Sequence, residues 1–146
     1  MKLFLSGPFF TAEEVARLDR VKSALEKAGF EVYSTYHRNS RIDLGSARAK
    51  KQRFTMLCKE IEESDGLFAV LDGRDPGTIW EIGYAFAAGK QVVAFWEKDP
   101  YFSLMIDGSA ACLIGFDSIG RHIGDCLAGG MVNRPTGISP GGKEDY

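Results

Sequence analysis

The chain has 146 residues, one domain's worth against a prior of ~100–200 residues per domain. At that length roughly two-thirds of the unfolded surface can be buried without disulfides or a structural metal. Eighteen basic and twenty acidic residues leave a net charge of −2, and 45% apolar content with 26% charge is ordinary globular composition. These figures argue against wholesale disorder and against a strongly cationic surface for a nucleic acid polymer. The three cysteines, Cys58, Cys112 and Cys126, form no CxxC pair, and His37 and His122 complete no zinc spacing. They read as reduced thiols in a cytoplasmic protein, with no metal site expected. The opening MKLFLSGPFF is broken by Gly7-Pro8 and leads into a charged helix, so it reads as a buried first strand and not a signal segment. No stretch approaches the ~20 apolar residues that span a bilayer, and a soluble protein without a membrane partner is expected.

Strand and helix patterns alternate along the chain. Lys2–Ser6 is a strand closed by Gly7-Pro8. Thr11 with Glu14 three residues on opens a helix as a capping box, Val15, Leu18, Val21, Leu25 and Ala28 mark its apolar stripe, and Gly29 stops it. Phe30–Ser34 is a second strand, Tyr36–Gly45 a polar loop of functional length, and a basic stretch from Arg48 to Arg53 enters a helix running to about Ser64. Gly66–Leu71 is the continuous apolar run of a parallel strand buried on both faces. The turn from Asp72 to Gly77 leads to a helix over Thr78–Ala88, then a strand over Gln91–Trp96 and a short helical piece at Phe102–Ile106. Cys112–Phe116 is a fifth strand, and Asp117-Ser118 cap a last helix reaching Leu127. Residues 129–146 form a Gly- and Pro-rich tail beyond a domain spanning 1–128.

This alternation predicts a single-domain α/β fold: a doubly wound, five-stranded parallel sheet of the flavodoxin or Rossmann-like kind. Ligands in such folds sit beyond the carboxyl ends of the strands, near the switch in strand order. That directs attention to Gly7–Thr11, Ser34–Gly45 and Asp72–Thr78. No GxGxxG follows the first strand, so a dinucleotide is not indicated and no cofactor is expected.

Three carboxylates, Asp72, Asp75 and Glu81, converge on one strand-to-helix turn. Read as the first turn of its helix, the Glu81 position favours an ionised carboxylate through free N–H groups and the macrodipole. Such a carboxylate serves as a nucleophile, and grouped carboxylates are the equipment of glycosyl transfer. A structural reading stands beside this one: Thr78-x-x-Glu81 also satisfies a capping box, and Asp72-Gly73 is an ordinary turn. His37, at the ligand end, is a candidate base contact. His122, Lys50, Lys51 and Arg53 read as helix surface, and Cys58 as packing.

GPFF after the first strand, followed by SDGLFAVLDGRDPGTIWEIGYAFAAGK, resembles the nucleoside 2-deoxyribosyltransferase family over roughly Lys2 to Ile119. The family's D-x-GT-x-x-E-x-G-x-A segment matches Asp75 through Ala85. The resemblance implies that Glu81 is the nucleophile forming a covalent deoxyribosyl intermediate, and that Asp75 contacts the sugar hydroxyls. It implies too that Asp72, Gly7, Phe9 and Phe10 line the sugar and base pocket, with Trp80 either stacking there or packing in the core. Ser103 stands where many members place an asparagine that reaches a neighbouring subunit's site, Phe4 where they place a tyrosine, and Leu57 where they place an aspartate or asparagine. Asn133-Arg134-Pro135 and Tyr146 are similar to the carboxyl tail of some members, which adds Tyr146 to the substrate contacts. The implied activity is base exchange between deoxynucleosides and free nucleobases, in a homo-oligomer built from dimers. Two alternatives remain open at this point: a related branch hydrolyses 2′-deoxynucleoside 5′-monophosphates, and a non-catalytic nucleotide sensor would keep the pocket alone.

Overall fold

The computed structural model describes residues 1–39, 41–128 and 144–145. The elements are β1 (Lys2–Ser6), α1 (Ala12–Lys27), β2 (Glu31–Ser34), α2 (Thr35–Arg38), α3 (Ala47–Glu63), β3 (Gly66–Val70), α4 (Pro76–Ala87), β4 (Gln91–Trp96), β5 (Phe102–Ser103), α5 (Leu104–Ser109), β6 (Ala111–Ile114), α6 (Phe116–Leu127) and β7 (Glu144–Asp145). Five strands pair in parallel in the order β2-β1-β3-β4-β6, as expected for a doubly wound sheet. The order reverses between β1 and β3, so the carboxyl end of β1 lies at the switch point. No helix among the described residues is long and apolar enough to cross a membrane.

The pleat divides the core in two. Leu3 and Leu5 of β1 join Leu18, Val21 and Leu25 of α1 and Ile119 and Ile123 of α6 on one face. Phe4 joins Ile61 of α3, Ile82 and Ala85 of α4 and Ile106 of α5 on the other. All five residues of β3 are buried, because β3 is central and covered on both faces. Helix α3 is different: of its seventeen residues only Ile61 is buried.

Several boundaries differ from the sequence reading, for local reasons. The Thr11 capping box forms as expected. Inside the expected Tyr36–Gly45 loop, α2 adds one turn. Helix α4 begins at Pro76, not Thr78, because Asp75 takes the N-cap role and accepts from the Thr78 amide at 2.9 Å; proline fits the first helical position. The Phe102–Ile106 segment splits into β5 and α5. Helix α6 starts at Phe116, with Gly115 at its N-cap position. Asp117 and Ser118 lie inside that helix, and the Ser118 hydroxyl donates to the Gly115 carbonyl at 2.6 Å. The tail expectation lies outside the described residues for 129–143 and 146, while residues 144 and 145 pair with Phe102 and Ser103 in parallel register.

Candidate functional site

At the carboxyl end of β1 a cavity of about 140 Å³ opens between α1, α2, α3 and the start of α4. Ser6 and Glu81 meet at it, the serine hydroxyl donating a hydrogen bond to the glutamate carboxylate. The strand pleat explains the meeting. Ser6 alternates with Leu5 and so shares the side of Phe4, the side on which α4 packs. Gly7, next in line, has no room for a side chain: a Cβ there would lie 2.9 Å from Leu18 Cδ2 and 3.1 Å from Val70 Cβ.

Glu81 is the sixth residue of α4 counted from Pro76, which overturns the first-turn placement. The free N–H groups of the helix start are not its partners, and the Thr78-x-x-Glu81 capping box does not exist. Its electrostatics change accordingly. Burial raises the Glu81 pKa from 4.5 to about 7; the Ser6 hydrogen bond opposes that rise, and the nearby Asp75 charge adds to it. A carboxylate expected to be fully ionised at neutral pH is instead held near its midpoint.

Of the other two carboxylates, one reaches the cavity and one does not. Asp75 lines it while capping α4 through Oδ2, which also accepts from the Thr78 hydroxyl at 3.0 Å. Asp72, expected in the sugar pocket, is not among the lining residues. Its carboxylate accepts from the backbone amides of Glu97 at 2.7 Å and Lys98 at 3.0 Å, and Arg17 Nε lies 3.9 Å away. It ties the end of β3 to the end of β4. Gly73 beyond it has φ +89°, a conformation that suits glycine.

Phe9 and Phe10 line the cavity as expected, with ring centroids 5.4 Å apart, and Tyr36 continues the cluster at 5.6 Å from Phe9. Trp80 is neither core nor pocket: it is half exposed and packs between Phe54 and Tyr84 on the outside of α3 and α4. His37, the candidate base contact, does not line the cavity but touches a residue that does. Its Nδ1 is 2.8 Å from the hydroxyl of cavity-lining Ser34, and its Nε2 is 2.6 Å from Asp19 Oδ1. Ser34 stands at the N-cap of α2, yet its side chain makes no capping bond. Ser6, Ser34 and Tyr36 were not singled out from the sequence. The signal for the two serines was their place as the last residues of adjacent strands, where a polar side chain faces the ligand end.

A family model described as nucleoside 2-deoxyribosyltransferase matches residues 3–132. The chain belongs to that family. Among solved structures, a 2-deoxyribosyltransferase from the psychrotolerant bacterium Bacillus psychrosaccharolyticus is 25% identical at a TM-score of 0.75, the match covering 84% of this chain and 92% of that one. The CMP N-glycosidase BcmB of Clostridium botulinum is similar at 21% identity and a TM-score of 0.60, over 85% of this chain and 99% of that one. A 2-deoxyribosyltransferase from Leishmania mexicana is similar at 20% identity and a TM-score of 0.51, over 74% and 71%. These last two likenesses show the fold alone. No curated protein sequence matches.

Set in the nucleoside 2-deoxyribosyltransferase family, the departures acquire positions. Phe4, where the resemblance places a tyrosine, is fully buried and stacks on Tyr33 with centroids 5.3 Å apart; the hydroxyl that meets Glu81 belongs to Ser6, two residues on. Leu57 lines the cavity, whereas Ser103 does not. Ser103 caps α5, accepting from the Ile106 amide at 3.4 Å. Tyr146 lies outside the described residues.

Proposed function

We propose that the protein is a nucleoside 2-deoxyribosyltransferase working by double displacement, with Glu81 as nucleophile and no cofactor. The observation that carries this reading is a buried carboxylate facing the cavity, held by the Ser6 hydroxyl beside Asp75 and within an aromatic rim. In the first step a Glu81 carboxylate oxygen bonds to C1′ of a 2′-deoxynucleoside. The C1′–N bond breaks, and its electron pair leaves with the base, which takes up a proton. In the second step a nitrogen of the incoming base attacks C1′ and gives up its proton, returning the one taken up in the first step, while the C1′–O bond to Glu81 breaks and the carboxylate is regenerated. Two inversions give net retention. Asp75 is assigned the sugar hydroxyls, and Phe9, Phe10 and Tyr36 the base.

Unphosphorylated nucleosides fit this lining better than 5′-monophosphates. The described lining residues include two carboxylates and no cation, so a phosphate would meet like charge. Three free cysteines suit a reducing, cytoplasmic setting. We also propose a homo-oligomer built from dimers. Phe54, Trp80, Phe86 and Met105 expose apolar side chains on α3, α4 and α5, and only Ile61 of α3 is fully buried; the Phe54 and Trp80 rings, 5.3 Å apart, form a continuous exposed apolar patch of the kind that marks association surfaces.

The test incubates the protein with a deoxynucleoside plus a free base, and separately with a deoxynucleoside monophosphate alone. Base exchange and a deoxyribosyl adduct on intact protein mass, both lost in Glu81→Gln, support the reading. Release of base with deoxyribose 5-phosphate would instead make it a hydrolase. Ligand binding without adduct or turnover would make it a sensor. Light scattering across a dilution series reads the oligomeric state, and a fully active monomer would end the dimer proposal.

A further inference from the structure

The Asp19, His37 and Ser34 chain has no part in the steps above, yet it ends in the cavity. Ser34 is 1% exposed and lies in register with Leu5 of β1. Paired residues of adjacent strands point to the same face, so Ser34 approaches from the α1 side of the sheet edge while Ser6 and Glu81 approach from the α4 side. Asp19 belongs to α1, and the His37 and Tyr36 rings meet edge to face, with centroids 5.1 Å apart. If C1′ is to lie within reach of Glu81 with the sugar beside Asp75, the base extends away from α4. It then crosses the end of β1 toward the rings of Phe9 and Tyr36. That is where the Ser34 hydroxyl waits.

A purely structural role would have Ser34 cap its helix. It does not: its hydroxyl is committed to the imidazole, whose other nitrogen is fixed by a carboxylate. An oriented imidazole between a carboxylate and a hydroxyl is an arrangement for moving a proton.

Resting on the transferase reading, we infer that Ser34 is the proton donor to the departing base and the acceptor from the incoming one, supplied through His37 and Asp19. In the imidazolium form both ring nitrogens donate, one to Ser34 Oγ and one to Asp19. As the C1′–N bond breaks, the Ser34 hydroxyl proton passes to the base, and Oγ takes the Nδ1 proton, leaving neutral imidazole. When the acceptor base attacks, its N–H proton returns through Ser34 to Nδ1. The proton count closes over the cycle, and no other reactant is needed. Ser34 touches substrate; His37 and Asp19 act through it.

The experiment compares wild type, His37→Asn and Ser34→Ala in the rate of base release on forming the glycosyl-enzyme. The substrates are a series of deoxynucleosides whose leaving bases grow steadily more acidic, from thymidine to the 5-trifluoromethyl and 5-nitro uracil deoxynucleosides, with 2′-deoxyinosine and 7-methyl-2′-deoxyguanosine as the purine pair. The last of these departs without needing a proton. Loss of a general acid costs ~10²–10⁴-fold where protonation matters. Both variants are therefore expected to lose a hundredfold or more on the most basic leaving group and less than about tenfold on the most acidic. Losses of equal size across the series would overturn the relay, as would wild-type rates throughout. If the wild-type protein forms no adduct with any member of either series, the transferase reading itself falls and takes the relay with it. Wild-type turnover that disappears in Glu81→Gln, together with parallel losses in the two relay variants, removes the relay alone.

Discussion

Replacing Glu81 by glutamine is expected to stabilise the fold, and by more as the pH rises. In the unfolded chain the carboxyl ionises around 4.5, whereas in the folded protein burial holds it to about 7. Between those values the native state keeps a proton that the unfolded chain has released. Raising the pH therefore drains stability, and the loss is complete once the folded group has ionised. At 1.36 kcal/mol for each unit of pKa difference, the loss reaches about 3 kcal/mol by pH 8. Glutamine keeps the shape and a carbonyl for the Ser6 hydroxyl to donate to, but it does not titrate. The variant and the wild type should thus be nearly equal near pH 4.5 and about 3 kcal/mol apart at pH 8. In a domain of this size that is roughly 6–12 °C in Tm. Thermal unfolding followed by circular dichroism at half-unit steps from pH 5 to 8 reads the difference. A helix-capping role for Glu81 would give the opposite sign, a loss of about 0.5–2 kcal/mol on substitution. A Glu81→Gln variant less stable than wild type at pH 8, or a gap that does not widen with pH, would refute the reasoning. The expected result carries a functional meaning, since a buried carboxylate proposed as nucleophile is a place where stability is given up for activity.

Ser6→Ala removes the bond that opposes the rise of the Glu81 pKa, so the acidic limb of the kcat/KM profile should move to higher pH. Asp75→Asn removes a neighbouring charge and should move it to lower pH; limbs moving in the same direction in the two variants would contradict the assignment. Asp72→Ala leaves the Glu97 and Lys98 amides without their acceptor and Arg17 without one of its carboxylates. A loss of about 1–3 kcal/mol is expected by urea unfolding, the cost of leaving a partly buried group without its partner, with turnover per folded molecule retained. Gly7→Ala drives a methyl against Leu18 and Val70 and should cost ~1–3 kcal/mol in thermal unfolding, because the Val70 neighbour is a Cβ that cannot swing away.

Where a single periodicity dominated, the sequence was enough. β1 and β4 fall on the expected residues, since continuous apolar runs bounded by glycine or lysine admit little else. The start of α4 was misread for a physical reason: both Asp75 and Thr78 are good N-caps, and proline between them is compatible with the first helical position as well as with a turn. That two-residue difference moved Glu81 out of the first turn, and its burial, invisible in the local pattern, reversed the direction expected for its ionisation. Asp72 looked like a site residue because it is polar at the ligand end of a strand. Only the neighbouring β4 backbone, distant in sequence, reveals that its oxygens are taken. The Ser34–His37–Asp19 chain was equally unreadable, because Asp19 lies a whole element upstream on α1. Motif matching found the carboxylate that reacts in the proposed scheme, but the hydroxyls that accompany it come from pairings no local pattern encodes.

The carboxyl end of β1 runs between two walls of the cavity that are backed by separate packing clusters. One wall carries Ser6 and Glu81 and is braced by α4. The other carries Ser34 and Tyr36 and is braced by α1. Substitutions that reshape the second wall need not disturb the packing that sets the ionisation of Glu81. A lineage, or a designer, can therefore exchange what the cavity accepts by changing Ser34 and α2 while keeping the Glu81 carboxylate of the proposed scheme intact.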